Sequence, residues 1–143
     1  MIVAVHGLMG AALGRVCRSR RQAFAAGFLS HMVADLLPHR DLDIPEEALL
    51  LGGVLSIVGL RYGADSKEFA GALGAALPDL ENLVGRTLNI PDKRLLLPTH
   101  RGWHGRRTRG FGGQIALALA CAAALMAGRP DSSRTRGRGK SSR

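Results

Sequence analysis

Long uncharged stretches alternate with short charged connectors along most of this chain. Five stretches lack Asp, Glu, Lys and Arg and are rich in Ala, Gly and Leu: residues 1–14, 22–34, 48–60, 69–78 and 111–128. None of them alternates polar and apolar residues with period two, as a half-buried strand would. Ala and Leu are strong helix formers. The pattern therefore predicts an all-α fold, a compact bundle of four to five short, mostly apolar helices.

The same stretches have almost no polar stripe. In the first of them His6 is the one polar side chain, whereas a helix that faces water shows a polar face. A bilayer span needs about 20 apolar residues and at least about 17, a length that residues 111–128 reach. Small residues recur at the spacing of close helix contacts, as in Gly10/Gly14 and Ala23/Gly27. We therefore predict that the bundle is embedded in a membrane, with a soluble bundle as the alternative.

The positive charge of the chain is confined to its C-terminal part. Residues 1–100 contain equal numbers of acidic and basic side chains, so the net charge of +9 comes entirely from residues 101–143. From Arg129 onward the chain is rich in Ser, Gly and Arg, a composition that cannot build a core. We predict a helical domain over residues 1–128 and a disordered basic tail over residues 129–143. We expect the tail to contact anionic lipid headgroups rather than nucleic acid, because no nucleic-acid-binding motif accompanies it.

Histidines and carboxylates interrupt or flank the apolar stretches. His31 and Asp35 are four residues apart, so they share one face of a helix. Taken singly, each such residue suits an ordinary role: a hydrogen-bonded core histidine, a local pair, or a carboxylate in the first turn of a new helix after Pro78. Together they indicate a shared polar site, because ionisable groups inside apolar helices are energetically costly. Imidazole and carboxylate donors without a nearby thiol suit zinc, manganese or iron.

Four segments of the chain resemble a known group of proteins. In order, VHGLMGAALG, FLSHMVADLLPHRDLD, GALGAALPDLENL and HRGWH resemble a group of small, uncharacterised bacterial membrane proteins related to the membrane-bound metal-dependent hydrolases. The resemblance covers roughly residues 4–104, and its most specific part is the pattern S-H-x-x-x-D-x-x-P-H-x-D from Ser30 to Asp41. It implies a helical protein of the bacterial cytoplasmic membrane with a metal site. The implied metal ligands are His6, His31, Asp35, His39, Asp79, His100 and His104.

These observations lead to two hypotheses about function. The first is a membrane-embedded hydrolase with one or two divalent ions, in which Glu81 acts as general base and Arg101 binds a substrate phosphate. A phosphoester or lipid headgroup would then be the substrate. The second is a non-catalytic membrane protein whose His/Asp cluster locks helices together or holds a structural ion. An open coordination position at the metal would distinguish the first hypothesis from the second.

Overall fold

The computed structural model describes residues 1–91 and 110–127, which form five helices. They are α1 (Val3–Val16), α2 (Arg20–Ala34), α3 (Ile44–Tyr62), α4 (Lys67–Thr87) and α5 (Gly112–Ala127). These two ranges contain no strand. The prediction of an all-α bundle is confirmed, and each of the five uncharged stretches corresponds to one helix. The predicted tail, residues 129–143, lies outside the described residues.

Local signals in the sequence set several of the helix boundaries. Ser19 precedes α2, and its hydroxyl accepts a hydrogen bond from the Gln22 amide at 3.2 Å. Such a side-chain cap satisfies one of the free amides of the first turn. Pro45 lies in the first turn of α3, where a missing N–H costs nothing. Gly63 ends α3 with a φ of 88°, a backbone conformation that favours glycine.

Helix α4 is longer than the uncharged stretch that predicts it. It continues through Pro78 to Thr87, so Asp79 lies inside this helix and not in the first turn of a new one. A proline in a helix interior removes one hydrogen bond and crowds the preceding turn. Here Pro78 is fully buried, and its packing contacts offset part of that cost. The alternative role for Asp79 as a first-turn residue is therefore wrong.

The helices run alternately up and down, and α4 packs against both α1 and α2. The start of α1 lies near the start of α5, since the Ile2 amide donates to Gln114 Oε1 at 2.8 Å. Its end lies near the end of α5, where Arg15 Nη1 donates to the Leu125 carbonyl at 2.6 Å. We call the first region the site end and the second the basic end of the bundle. Arginines and lysines gather at the basic end: Arg15, Arg18, Arg20, Arg21, Arg61 and Lys67.

Glycine allows the backbones of the central helices to touch. A Cβ atom on Gly10 would collide with the Gly71 carbonyl of α4, and one on Gly71 would collide with the Gly10 carbonyl. Gly27 of α2 is pressed against the same Gly71 carbonyl. The prediction that small residues such as Gly10 and Gly27 lie at helix contacts is confirmed. This close approach of α1, α2 and α4 lets side chains from all three helices converge on one point.

The structure does not support the prediction of membrane-spanning helices. Among the described residues, none of the helices combines the length and the apolar character that a bilayer crossing requires. The apolar segment 111–128 forms the 16-residue helix α5, slightly short of the minimum length for a span. The longer α3 and α4 carry charged side chains within them, among them Glu46, Glu47 and Asp79.

Candidate metal centre

His6 is a fully buried imidazole with one ring nitrogen anchored. It lies in the first turns of α1 with no exposed surface. Its Nε2 lies 3.0 Å from Asp35 Oδ1, and because an ionised carboxylate only accepts hydrogen bonds, Nε2 carries the proton. Nδ1 then carries the lone pair, and it has no hydrogen-bond partner among the described residues. Burial, together with neighbouring His31, lowers the pKa of His6 to about 4 despite its bond to Asp35, so the ring is neutral at pH 7.

His31 of α2 is anchored in the same way. Its Nδ1 donates to the Ala75 carbonyl of α4 at 2.9 Å. Nε2 is buried without a well-aligned hydrogen bond in the described part of the chain, although Asp35 Oδ2 lies 3.2 Å away. The His6 and His31 rings lie face to face at a tilt, with centroids 4.0 Å apart. Each ring therefore has one nitrogen anchored by an acceptor and a second nitrogen without a well-aligned hydrogen bond among the described residues.

Asp79 of α4 completes the group. Its Oδ2 lies 3.7 Å from His31 Nδ1 and 3.9 Å from His6 Nε2, and 17% of its side chain is exposed. Burial raises the pKa of Asp79 to about 7, with the charge of Asp35 adding to this rise and His31 opposing it. A cation at this point would stabilise the ionised form of the carboxyl group.

The three side chains could together hold one metal ion. One ligand atom from each of His6, His31 and Asp79 lies within 4.8 Å of the other two. Two atoms bound to one tetrahedral zinc ion at about 2.0–2.1 Å are about 3.3–3.4 Å apart. The ligand atoms therefore need to move closer by up to about 1.5 Å. Metal-binding histidines usually donate their second ring N–H to a carboxylate or carbonyl, as His6 does to Asp35 and His31 to Ala75.

Asp35 lies between the two imidazoles at the end of α2. Asp35 is 3% exposed. Burial by itself would raise the pKa of this carboxyl group, but His31 and His6 together hold it well below its usual range. Asp35 is thus a permanent negative charge at neutral pH. Its Oδ1 also lies 3.2 Å from the amino group of Met1.

Two further residues lie at the mouth of the group, in the loop after α2. His39 is buried, and its Nδ1 donates to the Leu37 carbonyl at 2.7 Å. Its Nε2 lies 3.4 Å from Asp41 Oδ1. The Met1 amino group is 3.0 Å from that same Asp41 oxygen. This amino group therefore links Asp41 to Asp35.

Two residues that the sequence does not predict bind backbone groups around the site. Glu47 of α3 accepts hydrogen bonds from the Val3 amide at 2.8 Å and from the Leu42 amide at 2.9 Å. Gln114 of α5 accepts from Ile2 and donates to the Arg40 carbonyl, both at 2.8 Å. Together they tie the start of α1 to the loop at the mouth. No motif in the sequence marks them, because both act on backbone groups distant along the chain.

The structure places some of the predicted site residues together and leaves others apart or outside the described residues. The structure brings His6, His31 and Asp79 together, with Asp35 against them and His39 at the mouth. Glu81 follows Asp79 by two residues in α4 and so projects about 200° around the helix axis from it. Its role as general base stays a prediction without geometric support. Three predicted residues, His100, Arg101 and His104, lie outside the described residues.

No match to this chain is found among protein-family models, curated proteins or solved structures. The resemblance to relatives of the membrane-bound metal-dependent hydrolases therefore stays a prediction from the four segments.

Proposed function

We propose that this chain binds a divalent metal ion through His6, His31 and Asp79 and uses it for hydrolysis. The observation that carries the proposal is the state of the two imidazoles. Each is buried, each has one ring nitrogen anchored by an acceptor, and each has a second nitrogen without a well-aligned hydrogen bond in the described chain. Leaving a buried polar atom unsatisfied costs about 1–3 kcal/mol. A metal ion at the group would supply the missing partner, with small side-chain shifts, since Asp79 Oδ2 lies within 4 Å of the anchored nitrogen of each ring.

The electrostatics of the group also suit a metal. His6 is neutral at pH 7 because burial lowers its pKa to about 4, and neutral imidazole is the form that binds metals. Asp35 and Asp79 supply negative charge beside it. Zinc, manganese and iron all accept imidazole and carboxylate donors. When bound, such an ion lowers the pKa of a coordinated water and polarises an ester or phosphoester bond.

The donor group within the described residues suits a catalytic ion. Structural zinc sites are closed by four protein ligands, whereas catalytic sites have three and leave one position for water or substrate. Within residues 1–91 and 110–127 three ligands form the group, and Asp79 is partly exposed to solvent. A structural ion is the second candidate, since the group joins α1, α2 and α4 and would hold them together. A phosphoester or lipid headgroup remains our expected substrate class, and this expectation depends on Arg101.

Metal analysis of the purified full chain tests the proposal. We expect about one equivalent of zinc, manganese or iron in the wild type after the chain is loaded and desalted. We expect less than a tenth of that in His31→Gln and in Asp79→Asn. Asp65→Asn is the matched control, because it removes an exposed carboxylate at the basic end and should keep full metal content. Circular dichroism checks that every variant is helical.

Two outcomes of this measurement would contradict the proposal. One is a folded wild type that retains no metal. The other is a metal content that His31→Gln and Asp79→Asn leave unchanged. Retained metal without hydrolysis of phosphoester or carboxylic-ester test substrates would instead favour the structural ion.

We also propose that the chain works in association with a lipid membrane. Large apolar side chains cover much of the outer surface, and among them Leu60 is 89% and Leu49 77% exposed. Exposed large apolar side chains in this number suit contact with an apolar partner such as a lipid interface. The exposed arginines Arg18, Arg20 and Arg21 at the basic end add an attraction to anionic headgroups. This proposal agrees with the resemblance to bacterial membrane proteins. Flotation of the chain with lipid vesicles tests it.

A further inference from the structure

We propose that helix α3 pairs with α3 of a second copy of this chain, so that the chain forms an antiparallel dimer. The contact surface is the outward face of α3, which we call the outer stripe. The outer stripe consists of Glu46, Leu49, Leu50, Ile57 and Leu60. It contains none of the candidate metal ligands, so the pairing does not depend on the proposed hydrolysis.

The outer stripe is apolar where a helix that faces water is polar. Leu49 is 77%, Ile57 66% and Leu60 89% exposed. At 3.6 residues per turn, all five residues of the stripe fall within about 100° of arc around the helix. The two buried residues of α3, Leu51 and Val58, lie on the opposite side and pack into the bundle. Helix α3 is therefore apolar on both sides, and its outer side is exposed in the described part of the chain.

Opposite charges lie at the two ends of the outer stripe. Glu46 is exposed in the first turn of α3, and Arg61 is exposed in the last turn. A dimer with a two-fold axis presents the same surface from both copies. When α3 pairs antiparallel so that Leu49 faces Ile57 of the second copy, Glu46 lies level with Leu60 of that copy. Arg61 of the second copy is then one residue, or about 1.5 Å, farther along the helix.

This charge pattern complements itself only in the antiparallel arrangement. Each end of the helix pair brings the Glu46 carboxylate of one copy to the Arg61 guanidinium of the other, so the dimer contains the pair twice. A parallel arrangement would instead place Glu46 beside Glu46 and Arg61 beside Arg61, and like charges across an interface are unfavourable. The apolar middle of the stripe supplies the burial, and the charged ends set the direction of the two helices.

A second copy fits the outer stripe better than lipid does. The apolar part from Leu49 to Leu60 is about 17 Å long, about half the thickness of a hydrocarbon core. Anionic headgroups would repel Glu46 at one end of the stripe, whereas a second copy offers it an arginine. Exposed apolar side chains of other helices, such as Leu29 of α2 and Leu119 of α5, remain available for contact with lipid.

Sedimentation equilibrium of the full chain in a neutral detergent tests the pairing. We expect a dimer for the wild type. Glu46→Lys and Arg61→Glu should each raise the dissociation constant at least about tenfold, because each change makes both end pairs like-charged. An equimolar mixture of the two variants should dimerise as the wild type does, because opposite charges then meet at both ends. Asp65→Lys is the matched control, since it makes the same change in charge at an exposed residue outside the stripe, and it should dimerise normally.

The mixture also separates pairing from folding. Glu46 belongs to the capping box of α3, so Glu46→Lys alone could weaken the dimer by fraying this helix. A frayed helix would not recover when Arg61→Glu is added, whereas a charge mismatch between copies would. Circular dichroism of each variant measures the helix content directly.

Three results would overturn the antiparallel dimer. They are a monomeric wild type, a dimer that both charge changes leave intact, and an equimolar mixture that stays monomeric while both variants are helical. A monomeric wild type whose flotation with lipid vesicles is lost in Leu49→Gln/Leu60→Gln would assign the outer stripe to lipid. Metal content is measured separately, so these results leave the proposed function to its own test.

Discussion

Single side chains at the centre are set in defined protonation states by burial and by their partners. His6 is neutral and Asp35 ionised at neutral pH. His6 has its pKa lowered from 6.5 to about 4. The unfolded chain therefore binds more protons in this interval, and His6 makes the free energy of unfolding rise as pH rises from 4 to 6.5. Asp79 acts in the opposite direction, because burial raises its pKa from 3.8 to about 7.

Replacement of Asp79 by Asn should stabilise the metal-free protein in a pH-dependent way. The folded chain keeps a proton on Asp79 between pH 3.8 and about 7, so this residue makes the free energy of unfolding fall as pH rises through that interval. Asp79→Asn removes the cost of the buried charge. We expect its gain in Tm, measured by circular dichroism with a chelator present, to be larger at pH 8 than at pH 4.5.

At pH 8, saturating zinc should make the Tm of the wild type higher than that of Asp79→Asn. The wild type then gains stability from ligand binding, and Asp79→Asn, which lacks one ligand, gains much less. A gain in Tm that is equal at both pH values without metal would show that the Asp79 charge is not the cause.

At the scale of the helices, the site depends on backbone contact between α1, α2 and α4. Gly71 touches Gly10 of α1 and Gly27 of α2 through its own carbonyl. The same approach brings the Ala75 carbonyl of α4 to His31. Glycine at these crossings is therefore a condition for the assembly of the metal centre.

A methyl group at Gly71 should separate the helices and weaken the site. We expect Gly71→Ala to lower the free energy of unfolding by about 1–3 kcal/mol or more, as overpacking does, and to reduce metal affinity at least tenfold. Gly53→Ala is the matched control in α3, since nothing lies within 4 Å of its added methyl group. It should raise stability by about 0.5–1 kcal/mol through helix propensity. Denaturant titration and metal competition measure both effects, and equal stability of the two variants would contradict the packing argument.

At the scale of the whole molecule, the basic side chains and the candidate metal centre lie at opposite ends of the bundle. The metal centre and the carboxylates Asp41, Asp43 and Glu47 lie at the site end. Arg15, Arg18, Arg20, Arg21 and Arg61 lie at the opposite end. There Tyr62 and Arg15 also bind the last carbonyls of α5. An anionic lipid surface would therefore attract the basic end of the bundle.

Vesicle flotation tests this arrangement. We expect the full chain to float with vesicles that contain anionic phospholipid. Each exposed arginine near the surface contributes about 1 kcal/mol, so Arg18→Gln/Arg21→Gln should weaken binding roughly 30-fold at low salt. Arg40→Gln, at the site end, is the control and should bind as the wild type does. Equal binding by all three proteins would remove the basic end as the contact surface, and no flotation of the wild type would contradict the membrane association.

The sequence alone was sufficient for the helices and for part of the site. Ala- and Leu-rich uncharged segments predict helices because helix propensity and periodicity depend on residues close together in the chain. Caps such as Ser19 and Gly63 are also local signals. The pairing of His31 with Asp35 follows from four-residue spacing. The continuation of α4 through Pro78 could not be predicted from local sequence, because burial of that proline in the bundle offsets the cost of a proline inside a helix.

Only the tertiary structure decided which polar residues meet. His6, His31 and Asp79 come from three helices, and their distances depend on glycine contacts between those helices. The anchoring of His31 by the Ala75 carbonyl and of the start of α1 by Glu47 joins residues more than forty positions apart. Local sequence does not predict such contacts, because a hydrogen bond between groups distant along the chain depends on how whole helices pack. The chemistry of the donors was readable from the sequence, and their assembly into one site was decided by the fold.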